Sequence, residues 1–391
     1  MKPEIFIYNP HYNSMVGKTI IDFLRKSKIP LKHGFLLNLI KENKISILIS
    51  GNYSSLTKYF TNKVVLKLVY FVDRYIYKYL QIYLWILINR INPLKVSIIF
   101  DIKKLKKNDI LIIYSNLNLD VSYDISENAK VIVNSDCKKL IHLSHYNYLT
   151  KTISENCKKI KNFHFIAENN LKKNSLYFQK YFSYYRNIFL TFPFVVKARF
   201  QNIKQFTHRE SRCLSVGSFQ VYDKIDNVMA PLLNFYKQNT VHPIRKEIFD
   251  NKDIYKDYIE CLNAPVIKNQ DYKLRKYYDF DIVEKFNSFQ MFICGEELGD
   301  LPGISFAEGM RTGCVYLGNG KNYCYKDLGM IDGVHYIAHN NEINDIVDKI
   351  KFYKKNINKL ENISKSGYEL ACQKFDENYV KRIFESSYKL I

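Results

Sequence analysis

The chain has 391 residues, enough for two domains that each bury a hydrophobic core, and this length excludes a peptide or a single small module. Hydrophobic residues make up 47% of the chain and charged residues 25%, and the 32 Tyr and 26 Phe exclude a disordered protein. The net charge is +21, which favours an anionic partner.

The positive charge is concentrated in the N-terminal half. Residues 1–200 contain 32 Lys and Arg against 12 Asp and Glu, whereas residues 201–391 contain 27 against 26. The first half is therefore expected to meet nucleic acid, an anionic membrane surface or a phosphorylated acceptor. A lysine-rich proteome is the alternative explanation of the surplus.

The cysteines predict neither a metal site nor a disulfide framework. All eight stand singly, with no C-x-x-C pair and no Cys/His cluster at zinc spacing. The chain starts directly with a strand-like run and shows no signal peptide. We therefore expect a cytoplasmic protein without a bound metal.

Short apolar runs alternate with longer segments of helical capacity in the first half. Strands are predicted at residues 5–8, 45–49, 96–100, 110–114, 131–133 and 140–143. Short buried strands that alternate with helices predict a parallel sheet covered on both faces.

Residues 64–91 are the closest approach to a membrane span. Lys67, Arg74, Lys78 and Gln81 fall on one narrow stripe of an otherwise aromatic and aliphatic helix. No stretch reaches the ~20 uncharged apolar residues that a spanning helix needs. The pattern predicts a core helix with a polar edge or a helix in a membrane interface.

An irregular connection at residues 192–212 precedes a second α/β unit. Strands are predicted at 213–216, 291–294 and 314–317, with helices near 282–287 and from about Ser305. One amphipathic helix is predicted from apolar residues at helical spacing, namely Ile343, Ile346, Val347, Ile350 and Ile357.

The most informative segment is 299–318, which reads GDLPGISFAEGMRTGCVYLG. A glycine-rich loop between a strand and a helix directs backbone N–H groups at phosphate or sugar oxygens. Glu308 lies about one turn into that helix, where its carboxylate can accept hydrogen bonds from a ribose diol. An ordinary loop with Glu308 as a first-turn helix acid is the alternative.

This segment resembles the nucleotide-sugar signature E-G-F-G-x-x-x-x-E-A-M-A-x-G of retaining GT-B glycosyltransferases. That group includes the sucrose synthases and the bacterial lipopolysaccharide and capsule transferases (glycosyltransferase group 1, family 4). Gly303, Glu308, Met310 and Gly313 fall in register with the signature. The resemblance implies donor contacts from Gly303, Ile304, Ser305 and Glu308.

The resemblance also implies the organisation of the chain. The fold class is α/β, with two Rossmann-like domains whose parallel sheets face a central cleft. Residues 1–200 would bind the acceptor and residues 201–375 the nucleotide-sugar. A C-terminal helix within 376–391 would pack back towards the first domain.

One departure from the signature concerns its first acid, which contacts the donor sugar in the family. That position falls on Asp300 instead of Glu. Glu296 and Glu297 lie just upstream and are rival candidates, so the sugar-facing acid stays open among the three.

A second departure concerns the phosphate clamp. Gly217 is followed by Ser218 where the family has Arg, and Lys224 lies one position late. A leaving nucleoside diphosphate gains negative charge, so another cation is expected to replace the missing arginine. Arg245 is the first candidate because Pro243 rigidifies the loop ahead of it, and Arg212 is the second.

The first half contributes two candidate residues. His145 follows a predicted strand end, where open α/β sheets bind ligands, and the resemblance implies a His beside the donor sugar. His142 lies within the strand and is expected to be structural. Gly17 is the one counterpart of the family's loop glycines near the diphosphate.

These features predict a retaining, metal-independent glycosyltransferase that needs no cofactor besides a UDP- or GDP-linked sugar donor. Its acceptor would be a lipid-linked or other oligosaccharide in bacterial lipopolysaccharide, lipooligosaccharide or capsule synthesis, at the inner face of the inner membrane. A nucleotide-sugar epimerase of GT-B architecture is the first alternative. A nucleic-acid-binding protein is less favoured because no RRM, KH or zinc-finger motif is present.

Overall fold

The computed structural model describes residues 4–8, 34–49, 78–114, 132–143, 154–155, 157–222, 230–266, 280–299 and 302–391. The first sheet is built from β1 (Ile5–Tyr8), β2 (Ser46–Leu48), β3 (Ile98–Ile99), β4 (Ile110–Ile113), β5 (Lys138–His142), β6 (Phe163–Ala167) and β7 (Leu190–Thr191). All seven strands are parallel, in the order β3-β2-β1-β4-β5-β6-β7. This is the order of a doubly wound sheet.

A second parallel sheet and a two-stranded ribbon follow. The strands are β8 (Glu210–Ser215), β9 (Ser218–Phe219), β10 (Ile259–Cys261), β11 (Ala264–Pro265), β12 (Phe289–Ile293), β13 (Val315–Asn319) and β14 (Ile337–His339). Five of them form a sheet in the order β10-β8-β12-β13-β14, and β9 pairs with β11. Parallel pairing brings the carboxyl ends of β8 and β12 to the same edge of the sheet.

Helices cover the sheets. They are α1 (Gly34–Lys41), α2 (Lys78–Ile88), α3 (Leu171–Asn174), α4 (Leu176–Tyr181), α5 (Ala230–Tyr236), α6 (Pro243–Asp250), α7 (Lys252–Tyr255), α8 (Ile282–Ser288), α9 (Ser305–Arg311), α10 (Tyr323–Asp327), α11 (Ile343–Lys355), α12 (Ile357–Lys374) and α13 (Glu377–Ser387). Short 3₁₀ turns lie at Ile102–Lys104, Phe206–His208 and Tyr388–Leu390.

Both faces of each large sheet are packed. Leu111 and Ile112 of β4 point into two separate hydrophobic clusters, and Met291 and Phe292 of β12 do the same in the second sheet. Strands β4, β12 and β13 are buried along their whole length, as expected for a parallel sheet between two helical layers. The predicted α/β fold with two Rossmann-like parallel sheets is confirmed.

The sequence pattern was wrong at two places. A strand was predicted at 131–133, but residues 132–134 form a helical turn. The single amphipathic helix predicted from Ile343 to Ile357 is two helices, because α11 ends at Lys355 and Ile357 begins α12. The apolar period runs across that break, so hydrophobic spacing alone did not detect it.

The C-terminal helix α13 packs against the first sheet's helical layer. Phe384 lies edge-on to Phe35 of α1, with ring centroids 5.2 Å apart, and both belong to one buried cluster. Asn38 of α1 donates a hydrogen bond to the Glu377 carboxylate at 2.6 Å. Within the described ranges, no helix combines the length and apolarity needed to cross a membrane.

Candidate functional site

Arg245 joins the carboxyl ends of β8 and β12. It lies in the first turn of α6, which begins at Pro243. Proline suits this first helical position because an N–H there would have no acceptor within the helix, so its absence costs no hydrogen bond. Its Nη1 donates to the carbonyl oxygen of Ser218 at 2.9 Å and its Nη2 to that of Gly295 at 3.1 Å, while Nε donates to the carbonyl oxygen of Cys294. The guanidinium therefore lies where an open α/β sheet binds ligands.

Among the residues that the structure describes, the buried guanidinium has no negative partner. Arg245 is 8% exposed, and no ion pair joins it to a carboxylate anywhere in the described part of the chain. Three of its five N–H groups go to neutral carbonyl oxygens. These neutral acceptors do not cancel the positive charge of the guanidinium, so this edge of the sheet is suited to an anion.

Two glycines lie beside this arginine. Gly217 has φ +122°, and a Cβ built on it would lie 2.7 Å from Arg245 Cζ, so only glycine fits there. A Cβ on Gly303 would lie 3.7 Å from Arg245 Nη2, which is ordinary contact. Three predicted donor residues, Gly217, Ser218 and Gly303, are thus brought together around the predicted substitute arginine.

Glu308 lies in the first turn of α9, which follows the glycine-rich loop through Ile304 and Ser305. The residue is half-buried, and burial raises the pKa of its carboxyl to about 7, while the charges of Arg199 and Lys197 act in the opposite direction. A carboxylate with a pKa raised by burial is typical of a functional site.

Glu296 and Glu297, the two rivals of Asp300 that lie in the described part of the chain, have different partners. The Oε1 of Glu296 accepts from the backbone N–H of Asn319 at 2.9 Å and from the Tyr325 hydroxyl at 2.5 Å. Glu297 instead lies beside His242, the N-cap residue of α6, with Oε1 3.6 Å from Nε2. Glu297 is thus the rival nearer the start of the helix that carries Arg245.

Arg212 does not reach this edge of the sheet. It lies in the first half of β8, where it is ion-paired with Glu210 and, at 2.7 Å, with Glu260. Four other predicted residues lie outside the described part of the chain, namely Gly17, His145, Lys224 and Asp300. Among the side chains that the structure describes, no group of three or more His, Cys, Asp or Glu could hold a metal ion.

His142 has more contacts than a simple core residue. It ends β5, is 1% exposed, and stacks on Tyr114 with ring centroids 4.5 Å apart. Its Nε2 lies 3.5 Å from the Glu168 carboxylate just after β6. Glu168 is not among the predicted site residues, although it follows an apolar run directly, which is the signal that identified His145.

The carbonyl groups that orient Arg245 were not predicted from the sequence either. Those of Cys294 and Gly295 belong to the turn after β12, where Gly295 has φ +51°. A glycine directly after a buried strand was the available signal. Backbone acceptors carry no residue-type signature, so the pattern of side chains did not identify them.

No protein-family model matches the chain, and no curated protein matches it either. Among solved structures, it is similar to Anabaena HepE in complex with UDP, at 10% identity and a TM-score of 0.49 over 100% of both chains. A glycosyltransferase from Rickettsia africae has 10% identity and a TM-score of 0.49 over 100% of this chain and 99% of the other. A sucrose-phosphate synthase from Thermosynechococcus elongatus has 9% identity and a TM-score of 0.45 over the same shares.

Proposed function

We propose that the chain is a glycosyltransferase that binds the diphosphate of a nucleotide-sugar at Arg245. The observation that carries the proposal is the buried guanidinium without a described carboxylate partner, beside Gly217 and Gly303. A buried cation that is only partly compensated is costly, and a bound anion removes that cost. A diphosphate suits the site because an arginine fork and the adjacent glycine backbone can meet several phosphate oxygens.

Glu308 would bind the ribose of the same donor. Its ionised carboxylate can accept hydrogen bonds from two neighbouring hydroxyl groups, and its place on α9 follows the loop that contains Gly303. The donor-binding residues would then be Gly17, Gly217, Ser218, Glu297, Gly303, Ile304, Ser305 and Glu308. UDP- and GDP-sugars are the two donor classes to test.

The chemical step would depend on charge stabilisation. As the bond from the anomeric carbon to the phosphate oxygen breaks, negative charge grows on the leaving diphosphate, and Arg245 together with Lys224 would oppose it. His145 and Asp300 would contact the donor sugar, as the family resemblance implies. We propose a metal-independent transfer with retention of configuration, in which no protein side chain is the covalent nucleophile.

The acceptor would be a lipid-linked or other oligosaccharide of a bacterial surface glycan. Two observations support an anionic membrane surface as its setting. Tyr83 and Leu87 lie one turn apart on α2 and are 45% and 62% exposed, and Leu94 just beyond the helix is 94% exposed. Arg90 and Lys95 are exposed beside them. Exposed apolar and basic side chains together favour the inner face of the inner membrane.

Binding of nucleotides to the full chain tests the proposal. UDP, GDP, UMP and GMP are compared by thermal shift, since a ligand that binds only the folded state raises the melting temperature. We expect UDP or GDP to stabilise the protein more than the matching monophosphate, and Arg245→Ala to abolish that difference. Arg212→Ala removes a cation that is already ion-paired and serves as the control.

Two results would overturn the proposal. If no nucleotide stabilises the protein, or if Arg245→Ala leaves the preference for diphosphates unchanged, the site does not bind a nucleotide diphosphate at Arg245. Incubation with UDP-N-acetylglucosamine alone separates the transferase from the epimerase, because only the epimerase converts the sugar without an acceptor.

A further inference from the structure

Among the described acidic residues around the second sheet, Glu296 accepts the most hydrogen bonds. It lies in the turn after β12. It is 7% exposed, and its Oε1 accepts from the backbone N–H of Asn319 and from the Tyr325 hydroxyl. The Tyr316 hydroxyl lies 3.1 Å from the same oxygen and 2.8 Å from that of Tyr325. Each tyrosine has one proton, so Tyr325 donates to Glu296, and Tyr316 donates to Glu296 or to Tyr325.

These bonds tie two elements, β13 and α10, to one oxygen atom. Asn319 ends β13, Tyr316 lies within β13, and Tyr325 is part of α10. Both tyrosine rings are buried, with 1% and 0% exposure. The position of Glu296 is therefore fixed by a rigid surrounding and not by solvent.

The acid is adjacent in sequence to the carbonyl groups that hold Arg245. Gly295 and Cys294 directly precede it, and their carbonyl oxygens accept from Arg245 Nη2 and Nε. Gly295 has φ +51°, and a Cβ there would lie 3.4 Å from Arg245 Cγ. The turn thus follows the arginine side chain closely, and a shift of Glu296 would move the acceptors that aim the guanidinium.

We propose that Glu296 is a positioning residue for Arg245. It anchors the turn after β12, the turn presents two carbonyl oxygens, and these orient the guanidinium towards the anion. The inference rests on the proposed function, because it assumes that Arg245 binds the diphosphate. A buried carboxylate is costly in free energy, and an apolar side chain would fill the same space without that cost. The hydrogen bonds to the carboxylate fix the conformation of the turn, which an apolar side chain would not do.

A double-mutant cycle on the full chain tests the relay. The dissociation constants of UDP and GDP are measured by calorimetry for Glu296→Leu, Arg245→Ala and the double variant. We expect Glu296→Leu to weaken the diphosphate nucleotide about tenfold in the parent and less than about twofold when Arg245 is already Ala, because contacting or relayed residues couple strongly. Independent effects that multiply would overturn the relay.

Conservative variants provide a second readout. Glu296→Gln keeps an oxygen that can accept the same hydrogen bonds and is expected to restore most of the affinity lost in Glu296→Leu. Tyr325→Phe removes one donor to Oε1 and is expected to weaken binding in the same Arg245-dependent way. Tyr336→Phe is the matched control, because Tyr336 packs on the Tyr325 ring at 5.4 Å and is not among the described residues that donate a hydrogen bond to Glu296.

The two proposals fail in different ways. If Arg245→Ala does not weaken UDP or GDP, the nucleotide-diphosphate site itself is wrong. If Arg245→Ala weakens them and Tyr325→Phe weakens them equally with and without Arg245, only the positioning role of Glu296 is wrong. Tyr325→Phe removes only a hydroxyl group, so this arm of the test does not depend on the folding of Glu296→Leu.

Discussion

Gly217 and Arg245 fit together because Gly217 has no side chain: a Cβ at Gly217 would lie 2.7 Å from Arg245 Cζ. Gly217 ends the turn after β8, and Arg245 reaches it from α6 through a hydrogen bond to the carbonyl oxygen of Ser218. The glycine thus allows the backbone of one element to lie against the guanidinium carried by another. Substitution at Gly217 should therefore affect both the backbone and the anion site.

Gly217→Ala is expected to displace the guanidinium and to weaken UDP or GDP by more than about tenfold. The φ of +122° adds backbone strain of roughly 1–3 kcal/mol. Gly329→Ala is the control, since Gly329 also has a positive φ, +79°, with no atom within 4 Å of the added Cβ. Calorimetry gives the affinity and chemical denaturation gives the stability; equal affinity losses in both variants would contradict the steric argument.

Arg245→Lys is expected to lower turnover more than donor affinity. Lysine keeps the positive charge but lacks the planar fork that bonds three carbonyl oxygens, and the charge on the leaving group is largest in the transition state. Steady-state kinetics separates kcat from KM. Lys246→Ala removes the neighbouring, surface-facing cation that pairs with Asp250 and should change neither value.

Lys224→Ala should show the same pattern as Arg245→Lys, with kcat reduced more than the donor KM is raised. The reason is again the charge that develops on the leaving diphosphate. A rise in KM with kcat untouched would show that the lysine holds only the ground-state phosphate. Kinetics of the single and double variants with Arg245→Ala measure how far the two cations act together.

Donor binding is expected to depend on pH through Glu308. With its pKa raised to about 7, the carboxyl is mostly ionised at pH 8 and mostly protonated at pH 6, so donor affinity should fall as the pH falls through this range. Glu308→Gln should bind weakly at both values, since loss of a charge-assisted hydrogen bond is worth roughly 1.5–3 kcal/mol. Flat affinity between pH 6 and 8 in the parent would remove Glu308 from the site.

The raised pKa of Glu308 also predicts how the stability of the nucleotide-free protein depends on pH. Folding raises the pKa of Glu308 from its ordinary 4.5 to about 7, so the folded state binds the proton more tightly. The stabilisation of the folded state by its protonated Glu308 is complete below pH 4.5 and is lost as the pH rises through 7. The melting temperature of Glu308→Gln should therefore equal that of the parent at pH 4 and exceed it at pH 8.

The exposed apolar surface beside α2 should carry any membrane contact. The double substitution Leu87→Glu and Leu94→Glu is expected to reduce salt-sensitive binding of the full chain to anionic vesicles. It adds negative charge where each Lys or Arg contributes ~1 kcal/mol of attraction to the anionic membrane surface. Ile254→Glu, at a residue 70% exposed in the second half of the chain, is the control. Vesicle sedimentation with phosphatidylglycerol and phosphatidylcholine gives the comparison, and equal binding by all variants would exclude this surface.

Periodicity and motif register determined much of this protein from its sequence. Alternating apolar runs predicted β1, β4 and β12, because parallel strands between helical layers must be apolar on both faces. The loop at 299–318 predicted the start of α9 at Ser305 and the place of Glu308. These features are local, since a few consecutive residues specify them.

Only the tertiary structure decided which arginine lies against Gly217 and which of two adjacent acids accepts hydrogen bonds from β13 and α10. The sequence favours Arg245 over Arg212 only through the rigid loop at Pro243, whereas the structure places Arg245 at the carboxyl edge of the sheet and Arg212 in an ion pair within β8. Glu296 and Glu297 are adjacent, yet they turn to different partners because neighbouring side chains in a turn leave the chain in different directions. Contacts between segments tens of residues apart depend on strand order, and strand order is not contained in any local pattern.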